Sequence, residues 1–100
     1  MSEVEQSLVE KLHSETALMH WKDLQRFFAQ GRVFYVSPCL DLVKIASWLA
    51  NDQSSELLEH IDAGAIVQPS NEQARTWYNG NAELWTVVVA PYVLIQEQAD

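Results

Sequence analysis

Helical spacing of apolar positions runs through most of the chain and gives way, near its end, to one uninterrupted apolar stretch. Leu84 to Ile95 carries no charge and is rich in β-branched and aromatic residues. That composition predicts a strand, and apolar character on both faces predicts a central strand covered on both sides. Upstream, Val4, Leu8 and Leu12 recur at helical spacing behind a Ser2–Glu5 capping box, which predicts an amphipathic, peripheral helix over 2–13. Residues 14–17 either continue that helix or break it. A second helix follows, with Trp21, Leu24 and Phe28 on one stripe and Gly31 as a left-handed C-terminal cap.

Arg32-Val-Phe-Tyr-Val36 reads as a short strand. Ser37-Pro38 then reads as an N-cap and first helical residue, with the helix running to about Ala50. Leu42, Ile45, Ala46 and Leu49 form its inward stripe, and Trp48 falls on the opposite side with Asp41 and Lys44. Leu57, Leu58 and Ile61 define a shorter helix that stops at Gly64. Residues 65–68 form a brief strand ended by Pro69. A Ser70–Gln73 capping box opens a last helix, with Ala74, Trp77 and Tyr78 inward and Gly80 at its end.

The expected fold is α+β: helices packed on a small, largely antiparallel three-stranded sheet, in one domain over residues 1–100. From the second helix onward the element order follows that of a winged helix, with the last strand between the other two and residues 71–79 filling the wing. Pro91 complicates the long apolar stretch. A straight strand from Glu83 to Gln96 would extend about 46 Å, against a diameter of about 33 Å for a domain of this length. Either the chain bends at Ala90-Pro91 and a second strand folds back, or residues 92–96 leave the domain and pair with another chain. The second alternative predicts a homo-oligomer, because an exposed Tyr92-Val-Leu-Ile edge invites pairing. The candidate interface is therefore Trp48, Pro91, Tyr92, Val93 and Leu94.

Charge narrows the partners. Fourteen acidic against six basic residues give a formal charge of −8, which disfavours nucleic acid and anionic membrane surfaces. The helix that a winged helix would place in a DNA groove carries Glu56, Glu59 and Asp62 and no lysine or arginine. The single cysteine, the acidic N-terminus without a signal pattern, and an apolar run shorter than the about 20 residues a membrane helix needs predict a cytoplasmic protein.

Candidate chemistry is sparse. Glu56 and His60 share a helix face as two metal ligands can, yet no second cluster has ligand spacing, and solvated side chains are expected there. Cys39, in the first turn of the helix opened by Ser37-Pro38, is positioned for thiolate stabilisation. It lacks a CxxC or Cys/His signature, so a buried small side chain is expected. No phosphate-cradling loop, nucleophile elbow or HExxH motif occurs. No catalytic, metal or cofactor-binding residue is assigned. The reading is a non-enzymatic, self-associating protein-interaction module. The alternatives are a small-molecule- or metal-binding regulator near Cys39, Asp41 or His60, and a degenerate nucleic-acid-binding winged helix.

Three segments carry a resemblance: Trp21-Lys-Asp-Leu-Gln-Arg-Phe-Phe-Ala-Gln-Gly31, Leu40-Asp-Leu-Val-Lys-Ile-Ala46 and Trp85-Thr-Val-Val-Val-Ala-Pro-Tyr-Val-Leu-Ile-Gln96. Together they resemble a family of small bacterial proteins known as domain of unknown function 2288, over about residues 16–96. The Ala-Pro-aromatic-Val-Leu element is its most specific part. The resemblance implies a one-domain bacterial cytosolic protein and assigns no role to any residue.

Overall fold

The chain alternates helix and strand more often than the periodicity predicts. A computed structural model describes residues 3–52 and 54–98. In order, the elements are α1 (Glu3–Glu15), β1 (Ala17–His20), α2 (Trp21–Ala29), β2 (Val33–Val36), α3 (Leu42–Ala50), α4 (Ser54–Asp62), β3 (Ile66–Val67), α5 (Asn71–Asn79), β4 (Glu83–Val89) and β5 (Tyr92–Gln96). The strands form one five-stranded mixed sheet in the order β1-β4-β5-β2-β3. β5 runs parallel to β2, and the other neighbours are antiparallel.

The α+β class holds and three of the four strand pairings are antiparallel, but the sheet has five strands rather than three, and the winged-helix arrangement does not hold. The additional strands are β1 and β5. β5 folds back at Ala90-Pro91, whose peptide bond is cis, and pairs with β4 from Val89↔Tyr92 to Trp85↔Gln96. Its other side is taken by β2, from Val33↔Val93 to Tyr35↔Ile95. Both hydrogen-bonding edges of residues 92–96 are thus used within the chain, which removes the arm that would pair with a neighbour. The centre of the sheet is β5 rather than β4, and its three middle residues are buried. β4 is only half covered: Trp85 and Val88 are exposed.

Alternation along the strands divides the core into two layers. On one face Val33, Leu84, Val93 and Ile95 pack against Trp21 and Leu24 of α2 and Ala74 and Trp77 of α5. On the other, Val36, Ile66, Val87 and Leu94 pack against Leu12 of α1 and Leu42, Ile45 and Ala46 of α3. Leu8 and Leu12 make α1 part of this second layer, where a peripheral helix was expected. The Ser2–Glu5 capping box lies outside the described residues.

Local chemistry sets the helix ends. α3 begins at Leu42, not Pro38, because Asp41 is its N-cap: one carboxylate oxygen accepts from Val43 N–H at 3.0 Å and Lys44 N–H at 3.3 Å. Ser37 is held elsewhere, its N–H donating to Ala65 C=O at 2.8 Å and its C=O accepting from Leu40 N–H in a turn. Ser70 caps α5 as expected, accepting from Gln73 N–H at 3.1 Å. At the other end of α5 the left-handed residue is Asn81 (φ 51°), whereas Gly80 has an ordinary negative φ. Ala82 N–H closes that end on Trp77 C=O at 2.9 Å. Gly31 (φ 72°) caps α2 as predicted, with Arg32 N–H reaching Phe27 C=O at 3.0 Å.

Candidate interaction surface

The two layers differ in how well their helices close over the sheet. α4 is joined to α3 and leans over the β3 end, but only Leu57 of its apolar residues packs against the core. Leu58, expected inward, is 54 % exposed, and Ile61 is exposed beside it. The helix stands away from the sheet and leaves a groove of about 210 Å³ lined by Phe34, Ile45, Leu49, Leu57, Ile61, Ile66, Tyr92 and Leu94. Every lining residue is apolar or aromatic. Tyr92 lies at the mouth, edge-on to Phe34 with ring centroids 5.6 Å apart. The outer side of α4 carries Glu56, Glu59 and Asp62, so an apolar slot is bordered by carboxylates.

Trp48 belongs to the same region. Its side chain is half-buried and packs against the α3 layer. The indole stacks on His60 of α4, with centroids 5.5 Å apart and planes inclined by 13°. Lys44 Nζ lies 5.3 Å from the indole centroid, close enough for a cation–π contact. The tryptophan that sequence reasoning found off the buried stripe thus joins α3 to α4 behind the groove. The remaining candidate residues separate: Pro91 and Tyr92 are exposed at the hairpin, while Val93 and Leu94 are 2 % exposed, one in each core layer. Those two side chains are out of a partner's reach while the sheet is intact.

Other candidate residues are placed as follows. Cys39 is exposed, not buried, and sits in the 37–40 turn, not in a helix; its Sγ lies 3.0 Å from Ser37 Oγ. The helix-dipole argument for a thiolate lapses with the displaced helix start. Asp41 is occupied by capping, and His60 by its stack on Trp48. Among the described residues, no group of three or more His, Cys, Asp or Glu side chains is placed to hold a metal ion. A second, wider hollow lies between α1 and the 37–43 segment, with His13, Thr16, Asp41, Trp85 and Gln96 among its lining residues. The Gln96 amide braces that hollow by donating to Ser37 C=O at 2.9 Å and Leu40 C=O at 2.7 Å.

One tyrosine is electrostatically distinct. Tyr35 donates its phenol to Glu97 Oε1 at 2.8 Å. Burial first, then that hydrogen bond and the negative charge beside it, push its pKa from 10.0 up to about 12.

A family model described as "Protein of unknown function (DUF2288)" matches residues 7–97. No curated protein matches the chain at a significant level. The chain is similar in structure to PA1075 from Pseudomonas aeruginosa, solved in solution by NMR. The TM-score is 0.81 at 38 % sequence identity, covering 100 % of this chain and 93 % of that one. No helix among the described residues is long and apolar enough to cross a membrane. With the family match spanning residues 7–97 and a Pseudomonas aeruginosa relative sharing the fold over 93 % of its own chain, this protein belongs to the DUF2288 family.

Proposed function

We propose that this protein is a non-enzymatic, cytoplasmic interaction module that receives an apolar, cationic segment of a partner protein in the groove between α3, α4 and the sheet. The observation that carries the reading is the groove itself: eight apolar or aromatic lining residues, with Leu58 and Ile61 exposed on a helix whose other side is acidic. Its volume favours side-chain anchors over a small ligand. Pockets for drug-sized molecules run to about 300–1,000 Å³, whereas about 210 Å³ accommodates one or two aliphatic side chains. An amphipathic helix with apolar anchors and flanking lysines matches both parts of the surface. Nucleic acid and anionic membranes fit it poorly, because a formal charge of −8 repels both.

The test is a titration of isotopically labelled protein with a synthetic amphipathic Leu/Lys helix, followed by amide chemical shifts. Changes centred on Leu57, Ile61 and Tyr92, with affinity falling at least about tenfold in Ile61→Asp, support the reading, as expected for an anchor contact. Changes spread evenly over the acidic surface, unaltered by Ile61→Asp, would defeat it.

A further inference from the structure

We infer that the chain forms a symmetric dimer through the open edge of β1, joining two sheets into one. This route to self-association differs from residues 92–96, whose edges are already paired, and it does not depend on the groove.

The backbone of β1 shows what its edge offers. Trp21 N–H donates to Ala82 C=O at 2.9 Å, in register with Ala17↔Thr86 through His20↔Glu83. In an antiparallel ladder, hydrogen-bonded pairs alternate with non-bonded ones. Met19 and Ala17 therefore direct their N–H and C=O groups towards β4, and Leu18 directs both of its groups, and His20 its N–H, away from the sheet, while the His20 C=O belongs to the N-cap of α2. β1 has no neighbour on that side among the described residues. Strand edges are commonly guarded by charge, proline or shortness. The opposite edge, β3, is two residues long and followed by Pro69. Ala17-Leu-Met-His20 is short at four residues, but it carries no proline and no Asp, Glu, Lys or Arg in a chain with fourteen carboxylates. Nor does a helix close over it: α2 packs under the strand on one face, and α1 contacts β4 and α3 on the other.

Side chains select the occupant. Leu18 lies opposite Trp85, on the face of the sheet where both are 38 % exposed, and Val9 of α1 is exposed on that side. A second copy running antiparallel, with Leu18 meeting its own counterpart at the dyad, places Thr16 opposite His20 and covers this apolar strip from both sides. Glu15 and Lys22 lie in α1 and α2, outside the strand, so the fit to a second copy rests on the outward backbone groups of Leu18 and on the apolar strip around it.

Sedimentation of the full chain from micromolar to submillimolar concentration provides the first test. The expected result is a transition to twice the chain mass of 11.4 kDa, displaced at least tenfold to higher concentration by Leu18→Glu, which brings two carboxylates together at the dyad. A second test does not rely on that variant: Leu18→Cys in a Cys39→Ser background should give a disulfide-linked dimer on mild oxidation, and Met19→Cys, whose side chain points to the α2 layer, should not. A monomer throughout the range would overturn the inference. So would a dimer insensitive to Leu18→Glu, or crosslinking equally efficient at 19. Ile61→Asp should leave the dimer unchanged, so that failure of the groove reading and failure of this one give different results.

Discussion

The two faces of the sheet are built from similar residue types and finished differently. Beneath α2 and α5, Trp21 is fully buried. Its ring lies 5.3 Å from Phe28 and 5.0 Å from Trp77, which in turn lies 5.7 Å from Tyr35. These rings pack against one another beneath the helices, the hollow between α2 and α5 being lined by Gln25 and Arg75 as well as by Phe28, Ala74 and Tyr78, and Trp21 Nε1 is left without a hydrogen-bond partner among the described residues. Over the other face, α1 and α3 cover the sheet but α4 stops short, and the tryptophan there lies outside the groove, against His60. The closed face puts its aromatic area into stability. The open face leaves apolar surface uncovered, which contributes little to folding and is available for binding.

The largest expected effect separates the two tryptophans. Trp21→Ala should destabilise the chain by about 3–5 kcal/mol, the usual cost of emptying a large buried aromatic site. Trp48→Ala should cost about 1–2 kcal/mol, since it gives up half-buried area and a cation–π contact worth up to about 1 kcal/mol. Denaturant unfolding measures both, and equal losses would break the distinction between the faces. Next is the pH response of the closed face. Tyr35 has its folded pKa raised, so the neutral phenol is favoured in the native state, and its contribution is present below pH 10 and lost as pH rises from 10.0 towards about 12. Absorbance titration should show a tyrosine step near pH 12 that disappears in Tyr35→Phe, together with that share of the alkaline loss of stability. The smallest effect belongs to the groove. Ile61→Asp, on the exposed side of α4, should change stability by no more than about 0.5 kcal/mol. A larger loss by thermal or denaturant unfolding would mean that Ile61 is core.

Much of this division was legible in the sequence, and the misreadings have physical causes. The stripes of α2 and α3, Ala74 and Trp77 of α5, the left-handed Gly31 and the Ser70 cap follow from short-range patterns, because each depends on residues within one helix; Tyr78, expected inward, is exposed. β1 does not. Ala-Leu-Met-His has no β-branched residue and lies between two helical patterns, so its extended form is imposed by the β4 ladder. Ser37-Pro38 satisfies the local rule for a helix start, yet Asp41 can cap two amides while Ser37 is held by Ala65, and the better-bonded start prevails. On the candidate surface, Trp48 stood out because it broke its helix's stripe. Leu58 and Ile61 gave no such signal, since periodicity marks an apolar face and not whether anything covers it. Val93 and Leu94 looked available only while the Ala90-Pro91 turn left two paths open.

The position of β5 also sets how cooperatively the fold forms. The strand at the middle of the sheet supplies buried side chains to both layers. Without it, β1 with β4 and β2 with β3 are two separate ladders with nothing to join them. Neither layer can close before residues 92–96 take their place, so the two layers form and are lost together.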